Sequence, residues 1–392
     1  MKFKEVLVYL FLFLLPTQLG KHFFLPFSYI SGVRIDYLAP TIYLTDGIIF
    51  VLIILSFKQF KFSFSTKMLI LLGLTCINIA FSLSPWISLY KWIKIAEVTS
   101  LFYIFKTKLN TKYILLSLTA GAAIQFFLVI YQITQQHSLQ GIAYVFGERY
   151  FSISTAGIAK VTIQGIELLR GYGTFSHPNS MGGFFVLLYA YMLFEKNFSK
   201  YIILKYIFIA LSSFLILLSF SKNAILSFLI ISIYYASKYI SCRFCAFVRI
   251  FGILLISFLF LSAQGDSESF QKRLYLLQNA IQTIMQYPIT GTGLGSYLLA
   301  QVQFPIPYSY LFFQPVHNIF LLLIAEIGVI FFGYIIYIVF PSFKRILKKE
   351  IMVVLILLIT FTGFFDHYWL TLQQNMLLVP VVFGLLKHQK WG

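Results

Sequence analysis

Twelve apolar runs of about the length that crosses a lipid bilayer leave this chain little choice of fold. They lie near 5–19, 41–57, 67–83, 87–105, 113–134, 179–195, 201–219, 223–239, 246–263, 318–342, 351–367 and 371–387. A spanning helix needs about 17–25 predominantly apolar residues. Inside hydrocarbon only helices and closed barrels satisfy every backbone N–H and C=O. The expected fold class is therefore all-α: a single integral membrane domain over residues 1–392 with about twelve transmembrane helices. Composition agrees, with 59% hydrophobic residues, 11% charged residues and a mean hydropathy of +0.86. No small-residue cleavage site follows the first run, so it reads as a retained span.

The net charge of +18, from 30 basic and 12 acidic residues, looks like a nucleic-acid signal until it is placed. Twenty of the bases fall in alternate loops, at 2, 4, 58, 61, 67, 106, 108, 112, 196, 200, 205, 238, 243, 249, 344, 345, 348, 349, 387 and 390. Only Glu5, Glu195 and Glu350 share those loops, which gives +17 on one side. The other 10 bases and 9 acids leave +1 for the spans and the opposite loops. Cytoplasmic loops of membrane proteins collect Lys and Arg in this way. The asymmetry puts both termini in the cytoplasm and the polar interruptions 135–179 and 264–317 outside. It also argues against nucleic acid as a partner. Three cysteines make no disulfide framework. Cys242 and Cys245 form one CxxC in a basic loop, with no second pair to complete a metal site. The C-terminal HQKWG shows no targeting address.

The 264–317 interruption holds most of the chemistry. Residues 271–286, QKRLYLLQNAIQTIMQ, predict an amphipathic helix. Leu274, Leu276, Leu277, Ala280, Ile281, Ile284 and Met285 share one face; Lys272, Tyr275, Gln278, Asn279, Gln282, Thr283 and Gln286 share the other. Arg273 breaks the pattern by sitting in the middle of the apolar face. A guanidinium cannot shed its charge, so it needs an anion there. Pro288 ends the helix. GTGLG, 291–295, then reads as a flexible, backbone-exposed turn. The stretch 304–315, FPIPYSYLFFQP, cannot be a helix, and its aromatic faces suit a lipid or a sugar. His317 and Asn318 stand just ahead of the next apolar run. Together these residues predict a polar reaction centre against the membrane, with Arg273 and His317 aimed into it.

In the 135–179 interruption, residues 158–164 alternate like a short strand. LRGYGTFSHPNSMGG, 169–183, follows. Arg170 is the base close to this motif, and Gly171 and Gly173 let a ligand approach the backbone. Asn179 or Ser180 can cap the helix that begins here, whose free amide groups favour anions. His177 stands at the same start, with a turn role and a catalytic role both open. Lys222, in the tight turn Ser221-Lys222-Asn223, offers a point charge to a phosphate or simply faces solvent. Within the spans, Lys94 is placed to pair with Glu97. Asp46 suits the N-terminus of its helix. Glu326 lies about 180° around its span from His317. Asp366 and His367 mark an outer helix end, where a carboxylate beside an imidazole can orient a base or hold a sugar hydroxyl.

Four stretches, RGYGTFSHPNSMGG, SFSKNA, KRLYLLQNAIQTIMQYPITGTGLGSY and HNIFLLLIAEIGV, occur in one order in a polytopic chain with a large outer loop between spans nine and ten. In this the sequence resembles the O-antigen ligase/polymerase superfamily, over roughly residues 165–335. The resemblance implies a GT-C-like, metal-independent membrane glycosyltransferase without a cofactor. Such enzymes move a glycan from a polyprenyl-diphosphate carrier to a glycan or lipid acceptor outside the cytoplasmic membrane, in surface polysaccharide biosynthesis. It assigns the family's outer-motif arginine to Arg170, its loop arginine to Arg273 and its histidine before the tenth span to His317. The family's Ser-Arg turn is Ser221-Lys222 here, and Lys lacks the bidentate fork.

Chemistry points the same way. A diphosphate held at the membrane surface needs cations, supplied by Arg170, Arg273 and Lys222, which also stabilise the leaving group. His317 is placed to take the proton of the attacking hydroxyl, with His177, Asn179, Asn318, Asp366 and His367 as secondary candidates. No carboxylate pair at glycosidase spacing occurs in the loop. A transporter or flippase of lipid-linked glycan would share the basic cavity without needing the histidine, and would show internal symmetry; no repeat is found. A non-catalytic scaffold would not need a charge at the centre of an apolar face.

Overall fold

The computed structural model describes residues 3–60, 65–263, 269–308, 310 and 312–388. In chain order the first helices are α1 (Phe3–Leu14), α2 (Leu44–Ser56), α3 (Thr66–Ala80), α4 (Pro85–Phe105) and α5 (Thr111–Gln135). A second group comprises α6 (Pro178–Phe194), α7 (Ile202–Leu218), α8 (Lys222–Tyr239) and α9 (Arg243–Leu261). Then come α10 (Ser269–Gln286), the short α11 (Tyr297–Gln301), α12 (Ile319–Ile346), α13 (Glu350–Phe365), the short α14 (Tyr368–Thr371) and α15 (Gln373–His388). A helix thus stands at every apolar run. Among the described residues, four helical stretches are long and apolar enough to cross a membrane: Thr111–Gln135, Lys196–Leu218, Arg243–Leu261 and Ile319–Pro341. Thr66–Ala80, Glu350–Phe365 and Gln373–Leu386 are shorter apolar helices.

The centre of the molecule is α6. Its sequence is apolar all round, and such a helix belongs inside other helices. Nearly every residue from Pro178 to Leu193 is buried, against α7, α8, α13 and α15. A second anchor joins α2, α4 and α15. Lys94 pairs with Glu97 at 3.1 Å, as its spacing predicts, and also with Asp46. Asp46 does more than suit a helix start: it accepts from the Tyr43 amide (2.8 Å) and from Gln373 Nε2 (2.6 Å).

Two expectations for the loop after α9 are corrected. The GTGLG segment is neither exposed nor a flexible turn; Gly291 to Leu294 are buried. The cause is a break in α12 at Gly328, whose φ of 76° and ψ of 164° interrupt the helical ladder. The loop fills the break: the Thr292 and Gly293 amides donate to the Ala325 and Glu326 carbonyls, both at 2.9 Å, and Val329 donates to the Pro288 carbonyl at 2.8 Å. Asn78 Nδ2 bridges the Thr290 and Glu326 carbonyls, each at 2.9 Å. A Cβ at Gly328 would lie 2.0 Å from the Ile289 carbonyl oxygen, so glycine alone permits this seam.

The amphipathic helix α10 forms, but its buried side is rotated from the apolar stripe and shares only Leu276 and Ala280 with it. Leu276, Asn279, Ala280 and Thr283 are buried, whereas Leu274, Ile281 and Met285 are exposed. At a bilayer surface an apolar face turned outward meets lipid rather than water, so the stripe and the packing face need not coincide. The strand expected at 158–164 is one arm of a hairpin, β1 (Lys160–Ile163) against β2 (Ile166–Leu169). Two smaller hairpins lie in residues 20–43. Cys242 and Cys245, expected to stay unpaired, are joined in a disulfide at the start of α9.

Candidate active site

The site assembles where the N-terminus of α6 meets the corner between α13 and α14 and the start of α12. At α6 the expected caps give way. His177 is the N-cap, its Nδ1 accepting from the Asn179 amide at 3.1 Å, with Pro178 in the first turn. Asn179 is thereby freed for other partners, and Ser180 turns inward to bond Asn375. Burial, reinforced by the nearby Arg170 charge, pushes His177 down to about 3. Its Nδ1 is taken up as the acceptor of this turn.

Arg170 is aimed by two contacts: Nε donates to the Ser219 carbonyl (2.9 Å) and Nη2 to Asn179 Oδ1 (2.6 Å). Burial lowers its pKa to about 10, still well above neutrality. Asn179 Nδ2 then donates to Asp366 Oδ2 at 2.9 Å. The other carboxylate oxygen accepts from the His367 amide at 2.8 Å and faces His317 Nδ1 at 3.5 Å. That last distance exceeds a hydrogen bond, but catalytic contacts often tighten only with substrate bound. The carboxylate of Asp366 is held far below its usual range despite burial, by His317, His367 and His177 around it.

Sequence reasoning pairs Asp366 with His367 as a second candidate base; the structure turns the carboxylate toward His317 instead. Thr371 Oγ1 donates to the His367 carbonyl (3.1 Å), so it accepts from His367 Nδ1 (2.7 Å). This fixes one tautomer of His367 and leaves Nε2 as an acceptor. Burial pushes His367 down to about 4. The two imidazole rings lie 5.1 Å apart, centroid to centroid, and Tyr37 caps His367 edge-on at 5.7 Å.

Asn318 is the cap of α12: its Oδ1 accepts from the Phe320 and Leu321 amides at 2.9 and 3.0 Å, and its Nδ2 donates to the Phe364 carbonyl at 3.3 Å. It therefore fixes the backbone next to His317. Arg273, half-buried on the packing side of α10, donates to the Phe365 carbonyl at 3.3 Å, next to Asp366. Its charge is felt at both Arg170 and His367. Lys222 is exposed at the first residue of α8, three residues beyond Ser219.

Sequence reasoning misses several supports. Gln132 on α5 holds the Arg170 loop: its Oε1 accepts from the Tyr172 and Gly173 amides at 3.1 and 2.8 Å, and its Nε2 donates to Glu148 at 2.8 Å. Arg149, exposed, donates to the Ser176 carbonyl at 2.7 Å and becomes a further cation beside the motif. Neither lies in any motif, so only the fold reveals them. Gly183 was legible as part of MGG without a role. A Cβ there would lie 2.3 Å from the Tyr368 ring, so glycine lets the Asp366–Tyr368 corner settle onto α6.

Beside Arg170, an apolar groove of about 560 Å³ is lined by Ile133, Ile163, Leu169, Leu218, Phe220 and Phe260. Among the described residues, His317, Asp366 and His367 present ligand atoms within 4.8 Å of one another. Each Asp366 oxygen already accepts one N–H bond, and a cation there would meet the charges of Arg170 and Arg273, which reach the same cluster.

No curated protein and no solved structure matches the chain. Residues 207–338, from α7 into α12, match the family model described as O-antigen ligase. That stretch contains Lys222, Arg273, His317 and Asn318, while Arg170, Asn179, Asp366 and His367 lie outside it and are brought to the same place by the fold. The match supports the resemblance of this membrane protein to the O-antigen ligase/polymerase superfamily over that stretch.

Proposed function

We propose that the chain is a membrane glycosyltransferase that moves a glycan from a polyprenyl-diphosphate carrier to a hydroxyl of a glycan or lipid acceptor, at the outer face of the cytoplasmic membrane, without a metal. The observation that carries this reading is the hydrogen-bonded line from Arg170 through Asn179 to Asp366, ending against His317. It sets a phosphate-binding cation and an oriented imidazole on one rigid frame. The donor's diphosphate binds Arg170 and Arg273, with Lys222 and Arg149 at the margin, and its isoprenoid tail lies in the apolar groove beside Arg170.

In the reaction His317 Nε2 takes the proton of the acceptor hydroxyl as that oxygen attacks the anomeric carbon. The bond from the anomeric carbon to the diphosphate oxygen breaks. The electron pair leaves with the polyprenyl diphosphate, whose added charge the two arginines stabilise. Asp366 keeps the Nδ1 proton of His317 directed at itself, so that Nε2 presents its lone pair, and stabilises the imidazolium that forms. The test uses purified full-length protein with a lipid-linked oligosaccharide donor, reading donor binding and glycan transfer separately. Transport of intact donor without transfer would overturn the reading in favour of a flippase. In a deletion strain, carriers bearing a single repeat mark a lost polymerase, and carriers bearing long polymers mark a lost ligase.

A further inference from the structure

The basic loop between α8 and α9 holds a group that glycosyl transfer does not use. Cys242 is the N-cap of α9, and its Sγ accepts from the Cys245 amide at 3.1 Å. The two Cα atoms are 5.2 Å apart and the sulfurs are bonded, within the spacing a disulfide requires. Residues 241–245 are all exposed. Arg243 stands between the cysteines, with Lys238 before them and Arg249 following.

A structural role for this bond is weak on physical grounds. A link between residues i and i+3 removes little chain entropy, and the first turn of α9 already carries its own hydrogen bonds. Nor does it clamp α9 to the body, because that helix buries only Ala246 and Ser257. The loop is among those that charge asymmetry assigns to the cytoplasm, where disulfides that occur are usually transient and redox-linked. What the arrangement does favour is a thiolate: a helix N-terminus and an amide donor both stabilise negative charge on Cys242.

We propose that Cys242 and Cys245 form a redox-active dithiol that exchanges with small-molecule disulfides, independently of glycan transfer. The Cys242 thiolate attacks one sulfur of the disulfide R–S–S–R; that S–S bond breaks and one RS⁻ leaves, taking up a proton. Cys245, having lost its proton, attacks the mixed disulfide at Cys242 and expels the second thiolate, which is likewise protonated. The chain gives up two electrons and two protons, and the small disulfide becomes two thiols.

The experiment uses full-length protein with Cys76, the exposed free cysteine, replaced by Ala. It is equilibrated in buffers of varied glutathione to glutathione-disulfide ratio, trapped with an alkylating reagent and weighed. The expected result is joint loss of both alkyl adducts across one transition as the ratio becomes oxidising. Cys245→Ser should accumulate one glutathione on Cys242, whereas Cys242→Ser should react much more slowly. A pair that stays bonded at the most reducing ratio is structural and overturns the proposal. So does a pair that alkylates as two independent thiols at the most oxidising ratio, or two serine variants that react alike. Glycan transfer measured on the same samples reports separately on the proposed function.

Discussion

At the scale of single residues the site separates orientation from charge. His317→Ala should leave donor binding intact and lower transfer by roughly 10²–10⁴-fold, the usual cost of a lost general base. Asp366→Asn should lower turnover while sparing donor binding, because it removes the group that faces His317 Nδ1. If the His317 variant turns over within a few-fold of wild type, the base lies elsewhere, and His367, with Nε2 free, is the next candidate. Arg273→Lys should lose most activity although charge is kept, since a single ammonium cannot reproduce a fork. Arg273→Leu should fold normally and bind donor poorly in a direct binding assay; near-normal transfer would make Arg273 an interfacial anchor only.

The buried His367 also sets a pH dependence of stability. Its folded value of about 4 lies below the ordinary imidazole value of about 6.5. Above about 6.5 both states are neutral and nothing is lost. As pH falls from there toward about 4, the unfolded chain takes the proton first, and stability drops by about 1.4 kcal/mol per pH unit. Below about 4 the term levels off. His177, pushed down to about 3, acts in the same sense. Thermal unfolding of detergent-solubilised protein should therefore weaken through this window, and His367→Gln should flatten part of the slope. An unchanged slope in that variant would show that the ring titrates freely.

At the scale of elements, apolar runs predict where helices stand but not which side each helix buries. Periodicity assigns Asn279 and Thr283 of α10 to the polar face, and both are buried; it assigns Leu274 and Met285 to the apolar face, and both are exposed. A pattern of apolar and polar residues cannot distinguish a protein interior from a bilayer, because both are apolar. GTGLG was legible as a special backbone but not as a buried wedge, since its partners are carbonyls released by a helix break at Gly328, far along the chain. The resemblance marks Arg170, Arg273 and His317, and Asp366 is legible beside His367. Asn179, which joins Arg170 to Asp366, was legible as a cap and a secondary candidate but not as a bridge. Gly183 tests whether that link depends on packing. Gly183→Ala would push against Tyr368 and should cost about 1–3 kcal/mol of stability, with transfer falling further than folding as the Asp366 corner lifts. Folded protein with full activity would show that the corner tolerates the shift.

At the scale of the whole molecule, twelve helices stand at the apolar runs, yet among the described residues four helical stretches are both long and apolar enough to cross a membrane by themselves. The 12 residues of α1, for example, extend only about 18 Å, against a hydrocarbon core of about 30 Å. Short helices must tilt little and rely on flanking residues or local thinning of the bilayer, so helix length alone does not settle which of them span. Charge does more. The excess of +17 in loops that alternate between the apolar runs, against +1 elsewhere, predicts a direction for every crossing at once, and removing any one span from the middle would reverse all that follow. Single cysteines introduced into a Cys76-, Cys242- and Cys245-free background should therefore label in a strict pattern with a membrane-impermeant reagent on intact cells. Those placed in 140–165 and 265–315 should react from outside, and those in 58–66, 106–112 and 343–350 should react only after the membrane is opened. The decisive stretch is 343–350, which takes in the end of α12 and carries Lys344, Arg345, Lys348 and Lys349. If it labels from outside while 265–315 is protected, Arg273 and His317 face the cytoplasm and the proposed reaction at the outer surface fails with them.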